Sequence, residues 1–122
     1  MLYSILIYEP EAVVEALSKE ENEARLEKHR AIQKALSEGK RLGPVAKLMP
    51  TSSAATVRSK GRNAMILDGP FAESKEQLVG FYCFEADSLQ DALAVAEQFP
   101  HETGAIEVRP IEWFYPGDQV ES

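Results

Sequence analysis

The chain has 122 residues, the size of one ordinary domain, and 44% of them are apolar, which is enough to bury a hydrophobic core. Its formal net charge is -7, with 20 acidic against 13 basic side chains, so its mean field repels phosphate backbones and anionic membrane surfaces. These values disfavour binding to nucleic acids and to membrane surfaces. The chain has a single cysteine, Cys83, which excludes a disulfide framework and a zinc-thiolate site. One unpaired cysteine also favours a location in the reducing cytoplasm.

The first forty residues predict one strand followed by a helix in two parts. Residues 2–8 alternate between two largely apolar faces, as a strand covered on both sides does, and the run is too short to span a membrane. Residues 9–40 are helical in pattern with a break near Ser18, because Ser18 and Glu21 have capping-box spacing. Gly39 is expected to end the helix.

One histidine falls on the apolar face of the second helical segment. The inward stripe consists of Leu26, Ile32 and Leu36, with Ala35 beside them, and His29 is three residues from both Leu26 and Ile32. Such a histidine is either a half-buried helix residue bonded to one acceptor or a general acid or base, since imidazole titrates near neutrality.

The rest of the chain predicts three more strands, one more helix and a hairpin. The three strands fall at residues 41–49, 78–86 and 105–114, and the helix falls at residues 89–99. The hairpin covers 56–67 with Lys60 and Gly61 at its tip, and its arms need not pair with the main sheet. Pro110 predicts that the last strand is an edge strand or leaves the sheet there.

The order of these elements predicts an α+β fold of the ferredoxin-like βαββαβ type, an antiparallel sheet with both helices on one face and an inserted hairpin. Because the central strands are apolar on both sides, the helix-free face also needs cover, which a second copy related by a two-fold axis supplies most simply. We therefore expect a homodimer with its sheets face to face and a cleft between them. The domain is expected to span 1–115, with a flexible tail at 116–122.

The segment 68-DGPFAESKEQLVGFY-82 offers two candidate carboxylates. Asp68 either turns back onto nearby backbone N–H groups or points into a cleft, where it could orient His29. Glu73 is a weaker second candidate, because it could equally belong to a solvated ion-pair patch. Phe71 is expected to fill an apolar surface in the core or at the dimer interface.

Arg109 and Tyr82 are candidate substrate-binding residues. Arg109 alternates with the buried-type residues Ile106 and Val108, so it is expected to face the inter-sheet cleft. There it either binds an anionic substrate or forms an ion pair at the interface. Tyr82 offers a hydroxyl to the cleft, although packing within the sheet explains it equally well.

Several common signatures are absent from the sequence. There is no P-loop, dinucleotide-binding glycine motif, zinc-protease motif or serine-hydrolase elbow. Two histidines and one cysteine are too few for a typical nitrogen- or sulfur-rich metal site. We therefore predict neither a cofactor nor a metal, with a magnesium site built only of carboxylates as the open alternative.

The segments LYSILIY, DGPFAESKEQLVGFY, SLQDALAVAEQFP and IEVRPI together resemble the YCII-related family, and more narrowly its DGPF-domain branch. The resemblance implies a ferredoxin-like domain that dimerises into a dimeric α/β barrel, with a histidine and an aspartate at the active site. The histidine corresponds to His29. The wider family has its aspartate near the helix end, where this chain has SEG at 37–39, so Asp68 is the substitute.

Two functions follow as expectations. The first is a cofactor-independent enzyme acting on a small molecule, an anion being one option, by acid–base chemistry in the inter-sheet cleft. His29 would move a proton, Asp68 would orient it, and Arg109, Tyr82 and Glu73 would contact the substrate. The second is a non-catalytic ligand-binding or regulatory dimer. The family resemblance associates such dimers with extracytoplasmic-function sigma factors, which would make a transcription factor a partner.

Overall fold

The computed structural model describes residues 1–118, 120 and 121. Of the expected tail at 116–122, Gln119 and Ser122 lie outside the described residues. The elements, in chain order, are β1 (Leu2–Glu9), α1 (Glu11–Glu15), α2 (Lys19–Glu38), β2 (Leu42–Lys47), a short 3-10 helix (Thr51–Ser53), β3 (Ala55–Lys60), β4 (Asn63–Asp68), β5 (Gln77–Glu85), α3 (Leu89–Ala96) and β6 (Ala105–Pro110).

Four strands form an antiparallel sheet in the order β2-β5-β1-β6. β1 pairs with both β5 and β6, so Ile5 lies opposite Tyr82 on one side and Val108 on the other. The α+β class with antiparallel sheets is therefore confirmed. β6 is an edge strand that ends at Pro110, as the missing N–H of proline predicts.

The hydrophobic core lies on one face of this sheet, against α2 and α3. Side chains alternate along β1 and β5, which buries Ile5 and Phe84 completely. Helix α2 contributes Ile32 and Leu36 to this core, and α3 contributes Ala92. Each large apolar side chain removed from water stabilises the fold by about 1.5–3 kcal/mol.

Helix α2 begins and ends where its sequence predicts. The Ser18 hydroxyl accepts from the Glu21 N–H at 3.1 Å, and the Glu21 carboxylate accepts from the Ser18 N–H at 3.0 Å, which completes the capping box. Gly39 is the C-cap, although Lys40 rather than glycine takes the left-handed conformation, with φ 57°. Ala35, expected beside the inward stripe, is exposed.

Strands β3 and β4 form the predicted hairpin as a two-stranded sheet of their own, so the hairpin does not extend the main sheet, a point that the sequence had left open. The tip is displaced by one residue from its predicted position. Lys60 and Asn63 are the last pair, so Gly61 and Arg62 form the turn. Gly61 has φ 62°, and a glycine at the first central position is the preference of a two-residue hairpin turn, which accounts for the displacement.

The DGPF turn is bonded to the start of the hairpin. The Gly69 N–H donates to the Ala54 carbonyl at 2.7 Å, and the Thr56 hydroxyl donates to the Gly69 carbonyl at 2.8 Å. Gly69 has φ 92°, a conformation that glycine adopts without steric cost. Phe71 follows with 77% of its surface exposed, so the core of the single chain does not bury it.

The opposite face of the main sheet is also apolar but only partly covered. Leu6 of β1 and Phe81 and Cys83 of β5 are half-buried and lie outside the core cluster. Burial also raises the pKa of the Cys83 thiol. This face therefore differs from the helix-covered face, where the alternating side chains are buried.

Candidate functional site

A cavity of about 410 Å³ lies on the helix-covered side of the molecule, between α1, α2 and the β2 edge of the sheet. Ile7, Val79 and Tyr82 line it from the sheet, and Val14 and Leu26 line it from the helices. Its volume falls within the range of about 300–1,000 Å³ that is usual for small-molecule sites. The cavity is thus a mainly apolar hollow of suitable size.

His29 borders this cavity and is bonded to the sheet beneath it. Its Nδ1 lies 2.8 Å from the Tyr82 hydroxyl. Gln33, one helical turn further along α2, donates from Nε2 to the same hydroxyl at 2.8 Å. The structure therefore brings two of the predicted site residues, His29 and Tyr82, into direct contact.

Phe99 packs against the rings of both His29 and Tyr82. Its ring lies edge-on to Tyr82, with centroids 4.8 Å apart, and edge-on to His29, with centroids 5.4 Å apart. Edge-to-face packing of this kind is favourable beyond the area that it buries. Phe99 is 2% exposed, so the orientation of the His29 ring is fixed by packing as well as by hydrogen bonding.

The surroundings of His29 favour its neutral form. Burial lowers the pKa of the imidazole, and the positive charges of Arg25 and Lys47 lower it further. Burial raises the pKa of Tyr82, against the opposing effect of the Gln33 hydrogen bond. Both members of the pair are thereby held uncharged near neutral pH.

We predict that the titration of His29 lowers the free energy of unfolding as the pH falls into the mildly acidic range. Because its pKa is lower in the folded than in the unfolded chain, the unfolded chain takes up a proton first as the pH falls below about 6.5, and unfolding becomes more favourable. Urea denaturation of the His29→Gln variant should show a smaller loss of stability in this window, above the range in which carboxylates titrate. His101→Gln, on an exposed loop, is the matched control and should keep the wild-type dependence. Parallel curves for wild type and His29→Gln would contradict the prediction.

A second polar contact lies at the cavity wall. Arg25, one turn before His29 on α2, forms an ion pair with Glu9 at the end of β1, and the side chains are 16% and 9% exposed. Lys47 also lines the cavity, from β2. The cavity wall therefore carries both signs of charge: the paired Arg25 and Glu9, Lys47, and the carboxylates of Glu11 and Glu15.

The structure does not bring Asp68 to His29. Asp68 is exposed at the end of β4, opposite Ala55, and it is not among the residues that line the cavity. Glu73 lies in a separate shallow groove, which shares Glu11 with the cavity wall. Within the described part of a single chain, neither carboxylate contacts the imidazole.

Arg109 lies on the opposite face of the sheet from His29. Its Nη2 forms an ion pair with Glu107 at 2.8 Å, and the Tyr8 hydroxyl donates to the same carboxylate at 3.3 Å. This hydrogen-bonded pair lowers the pKa of Glu107 and raises that of Arg109. Arg109 and the cavity are thus on different sides of the sheet.

Sequence reasoning missed five residues of the site: Gln33, Phe99, Arg25, Lys47 and the buried partner Glu9. The spacing of Arg25, His29 and Gln33, each four residues from the next, is a signal that they share one helix face. No comparable signal connects that face to Glu9 or Phe99, because those contacts depend on how the helix lies across the sheet.

The described residues offer neither a metal-binding cluster nor a membrane-spanning helix. No group of three or more His, Cys, Asp or Glu side chains in this part of the chain is placed to hold a metal ion. None of the helices described is long and apolar enough to cross a membrane.

Comparison with known proteins gives one family. The model of the YCII-related domain matches residues 1–115. An uncharacterised protein of Rhizobium meliloti (strain 1021) is 45% identical to this chain over 121 residues, which cover 97% of the chain and 98% of the relative. The match extends over almost the entire length of both proteins.

Proposed function

The chain belongs to the YCII-related family, and we propose that it is a small-molecule-binding protein, and an enzyme without a cofactor, whose site is the cavity beside His29. One observation carries the proposal. A half-buried imidazole, oriented by Tyr82 and Phe99, borders a mainly apolar cavity of about 410 Å³. An oriented, titratable group next to a hollow of this kind is the usual arrangement of an acid–base or binding site.

The charges nearest the imidazole favour an anionic group on the ligand. Lys47 and Arg25 both act on the imidazole, although Arg25 is paired with Glu9, and the apolar walls suit a hydrocarbon body. The wall also carries the carboxylates of Glu11 and Glu15, so the anionic group is expected at the His29 and Lys47 part of the cavity. In this proposal His29 exchanges a proton or a hydrogen bond with the ligand, and the apolar lining excludes water. Arg109 and Glu73, expected at the substrate, are assigned no contact with the ligand of the same chain, since both lie outside the cavity.

We propose further that the domain is ferredoxin-like and forms a homodimer through the helix-free face of the sheet, as a dimeric α/β barrel. The strand order β2-β5-β1-β6 and the half-covered side chains of Leu6 and Phe81 support this. Asp68, Arg109 and the exposed Phe71 are then available for contacts between copies. Sedimentation equilibrium that showed only monomers at micromolar concentration would overturn the dimer. We place the protein in the cytoplasm, where the lone thiol of Cys83 stays reduced.

A thermal-shift screen with a library of small organic acids tests the function. A ligand present at about 100 times its Kd stabilises the folded chain by about 2.7 kcal/mol. We expect His29→Ala and Lys47→Ala to weaken this stabilisation. Arg109→Ala, on the opposite face, is the matched control and should leave it unchanged. A hit that depends on Arg109 and not on His29 would show that the ligand binds elsewhere.

The same screen separates the two classes of function. If a ligand binds the cavity with unchanged affinity in His29→Gln and is not converted by the wild-type protein, the non-catalytic ligand-binding or regulatory dimer replaces the enzyme. Binding to an extracytoplasmic-function sigma factor that depends on such a ligand would identify the regulatory partner. Ligand conversion that His29→Gln abolishes would support the enzyme.

A further inference from the structure

The hydroxyl of Tyr82 lies between two hydrogen-bonding partners. Gln33 Nε2 lies 2.8 Å from it, and His29 Nδ1 also lies 2.8 Å from it. With the Gln33 amide in this orientation, its nitrogen faces the hydroxyl and can only donate, so the Tyr82 oxygen accepts at Gln33. The direction of this first bond restricts the direction of the second.

Tyr82 has one hydroxyl proton to place, and the residue is only 2% exposed. In the described part of the chain, His29 Nδ1 is the one acceptor bonded to this hydroxyl. A buried hydroxyl that donates to nothing is costly, so the proton is directed to Nδ1. The neutral imidazole must then carry its own proton on Nε2.

From these contacts we infer that His29 offers Nε2–H to the cavity as a hydrogen-bond donor, and that the cavity takes a small molecule with a carbonyl or carboxylate oxygen. This inference rests on the proposed function and narrows it. The acceptor nitrogen of the ring faces Tyr82, so the neutral ring has no base to present to the ligand. Tyr82 and Gln33 are positioning residues that act through His29.

The rest of the cavity matches such an oxygen. No hydrogen bond to His29 Nε2 is found among the described residues, and the lowered pKa of the ring keeps it neutral near pH 7. Lys47, which lines the cavity from β2, forms no ion pair in the same part of the chain. Two donors without a protein partner, one of them cationic, suit an oxygen with full or partial negative charge.

A ring held in this way is suited to stabilise negative charge that develops on a ligand oxygen. The donor is fixed before the ligand arrives, by the hydrogen bond at Nδ1 and by the edge-on packing of Phe99 against the ring. A preorganised donor in an apolar site is worth more than the same donor in water. No proton leaves the ring in this role.

The tautomer is measured directly by long-range proton–nitrogen NMR on protein labelled at histidine, at about pH 8, where imidazole is neutral. The chain has only two histidines, so exposed His101 is an internal reference. We expect His29 to show a fully pyridine-like Nδ1 and a pyrrole-like Nε2, unlike the averaged shifts of His101. Shifts for His29 equal to those of His101, or a protonated Nδ1, would overturn the inference.

Gln33→Glu is a second, sharper test, because it reverses the hydrogen-bond chain without removing a side chain. A carboxylate at residue 33 accepts the Tyr82 proton, so the Tyr82 oxygen must then accept from His29. We expect the proton of His29 to move to Nδ1 in this variant and the averaged pattern to appear in Tyr82→Phe. A tautomer that is unchanged in Gln33→Glu would show that Tyr82 does not determine it.

Three probes of similar size test the ligand class: benzoate, acetophenone and benzylamine. Benzoate and acetophenone separate the anionic carboxylate from the neutral carbonyl, and we expect at least one of them to shift the His29 nitrogens in a saturable way while His101 stays in place. Benzylamine offers only donors near neutral pH and should leave His29 unshifted. A shift with benzylamine alone, or with none of the three, would overturn the ligand class.

Failure of the inference and failure of the proposed function are distinguishable. A library ligand that depends on His29 but binds through its own donor groups would keep the cavity as the site and refute the donor role of the ring. If His29 had a fixed Nε2–H tautomer but every ligand depended only on Arg109, the assigned tautomer would be kept and the cavity would be refuted as the ligand site.

Discussion

Replacing Phe99 with alanine is expected to destabilise the protein by about 3–5 kcal/mol, the usual cost of truncating a buried aromatic ring. Phe99 is 2% exposed, and its ring packs edge-on against both Tyr82 and His29. Alanine would leave a void beneath the candidate site that the strands cannot fill. Urea denaturation followed by circular dichroism measures the loss, and Phe99→Leu, which retains most of the volume, should recover a large part of it.

Phe71→Ala is the matched control, since it removes the same side chain from a position that is 77% exposed. Measured at a concentration low enough to keep the chain monomeric, it should change the free energy of unfolding by less than about 0.5 kcal/mol. Equal losses for the two variants would show that Phe99 does not pack in the core as described. A loss for Phe71→Ala that grows with protein concentration would instead place Phe71 in a dimer interface.

Replacing Arg25 with methionine is expected to cost about 3–5 kcal/mol, because it leaves the Glu9 carboxylate without its partner in a nearly buried position. Methionine keeps the length and the helix propensity of the side chain, so the change isolates the charge. The double variant Glu9→Gln with Arg25→Met removes both charges and should recover most of the stability. Chemical denaturation of the wild type, both single variants and the double variant forms a complete thermodynamic cycle.

Arg30→Met provides a control on the same helix. Arg30 pairs with Glu27, but these side chains are 58% and 70% exposed, and an exposed pair contributes at most about 1 kcal/mol. The variant should therefore be almost as stable as the wild type. If Arg25→Met lost as little free energy of unfolding as Arg30→Met, the Glu9 carboxylate would have to be solvated. The nearly buried ion pair described at the cavity wall would then be wrong.

The two faces of the sheet suggest a division of roles. The helix-covered face holds the cavity, with His29 bonded to Tyr82. The opposite face holds Arg109, already paired with Glu107, beside half-covered apolar side chains such as Phe81. The expectation that one inter-sheet cleft would contain all the candidate residues therefore gives way to a ligand site on one side and a proposed contact between copies on the other.

Features that depend on neighbouring residues were predictable. The capping box of Ser18 and Glu21 and the end of β6 at Pro110 follow from chemistry within a few residues. The hairpin was also predicted, with its separation from the main sheet left open and with an error of one residue at its tip, because glycine is acceptable at more than one position of such a turn. His29 was placed on the inward face of α2 by helical periodicity alone.

The sequence by itself determined the class of fold, the family, the helix-capping positions and the presence of one inward histidine. Only the tertiary structure decided what that histidine contacts, since Tyr82 is 53 residues away and Phe99 is 70 residues away in the chain. It also decided that Asp68 lies outside the cavity and that Glu9 closes its wall. The physical reason is that periodicity specifies which face of an element is inward, whereas the partner across the interface depends on how the helix packs on the sheet.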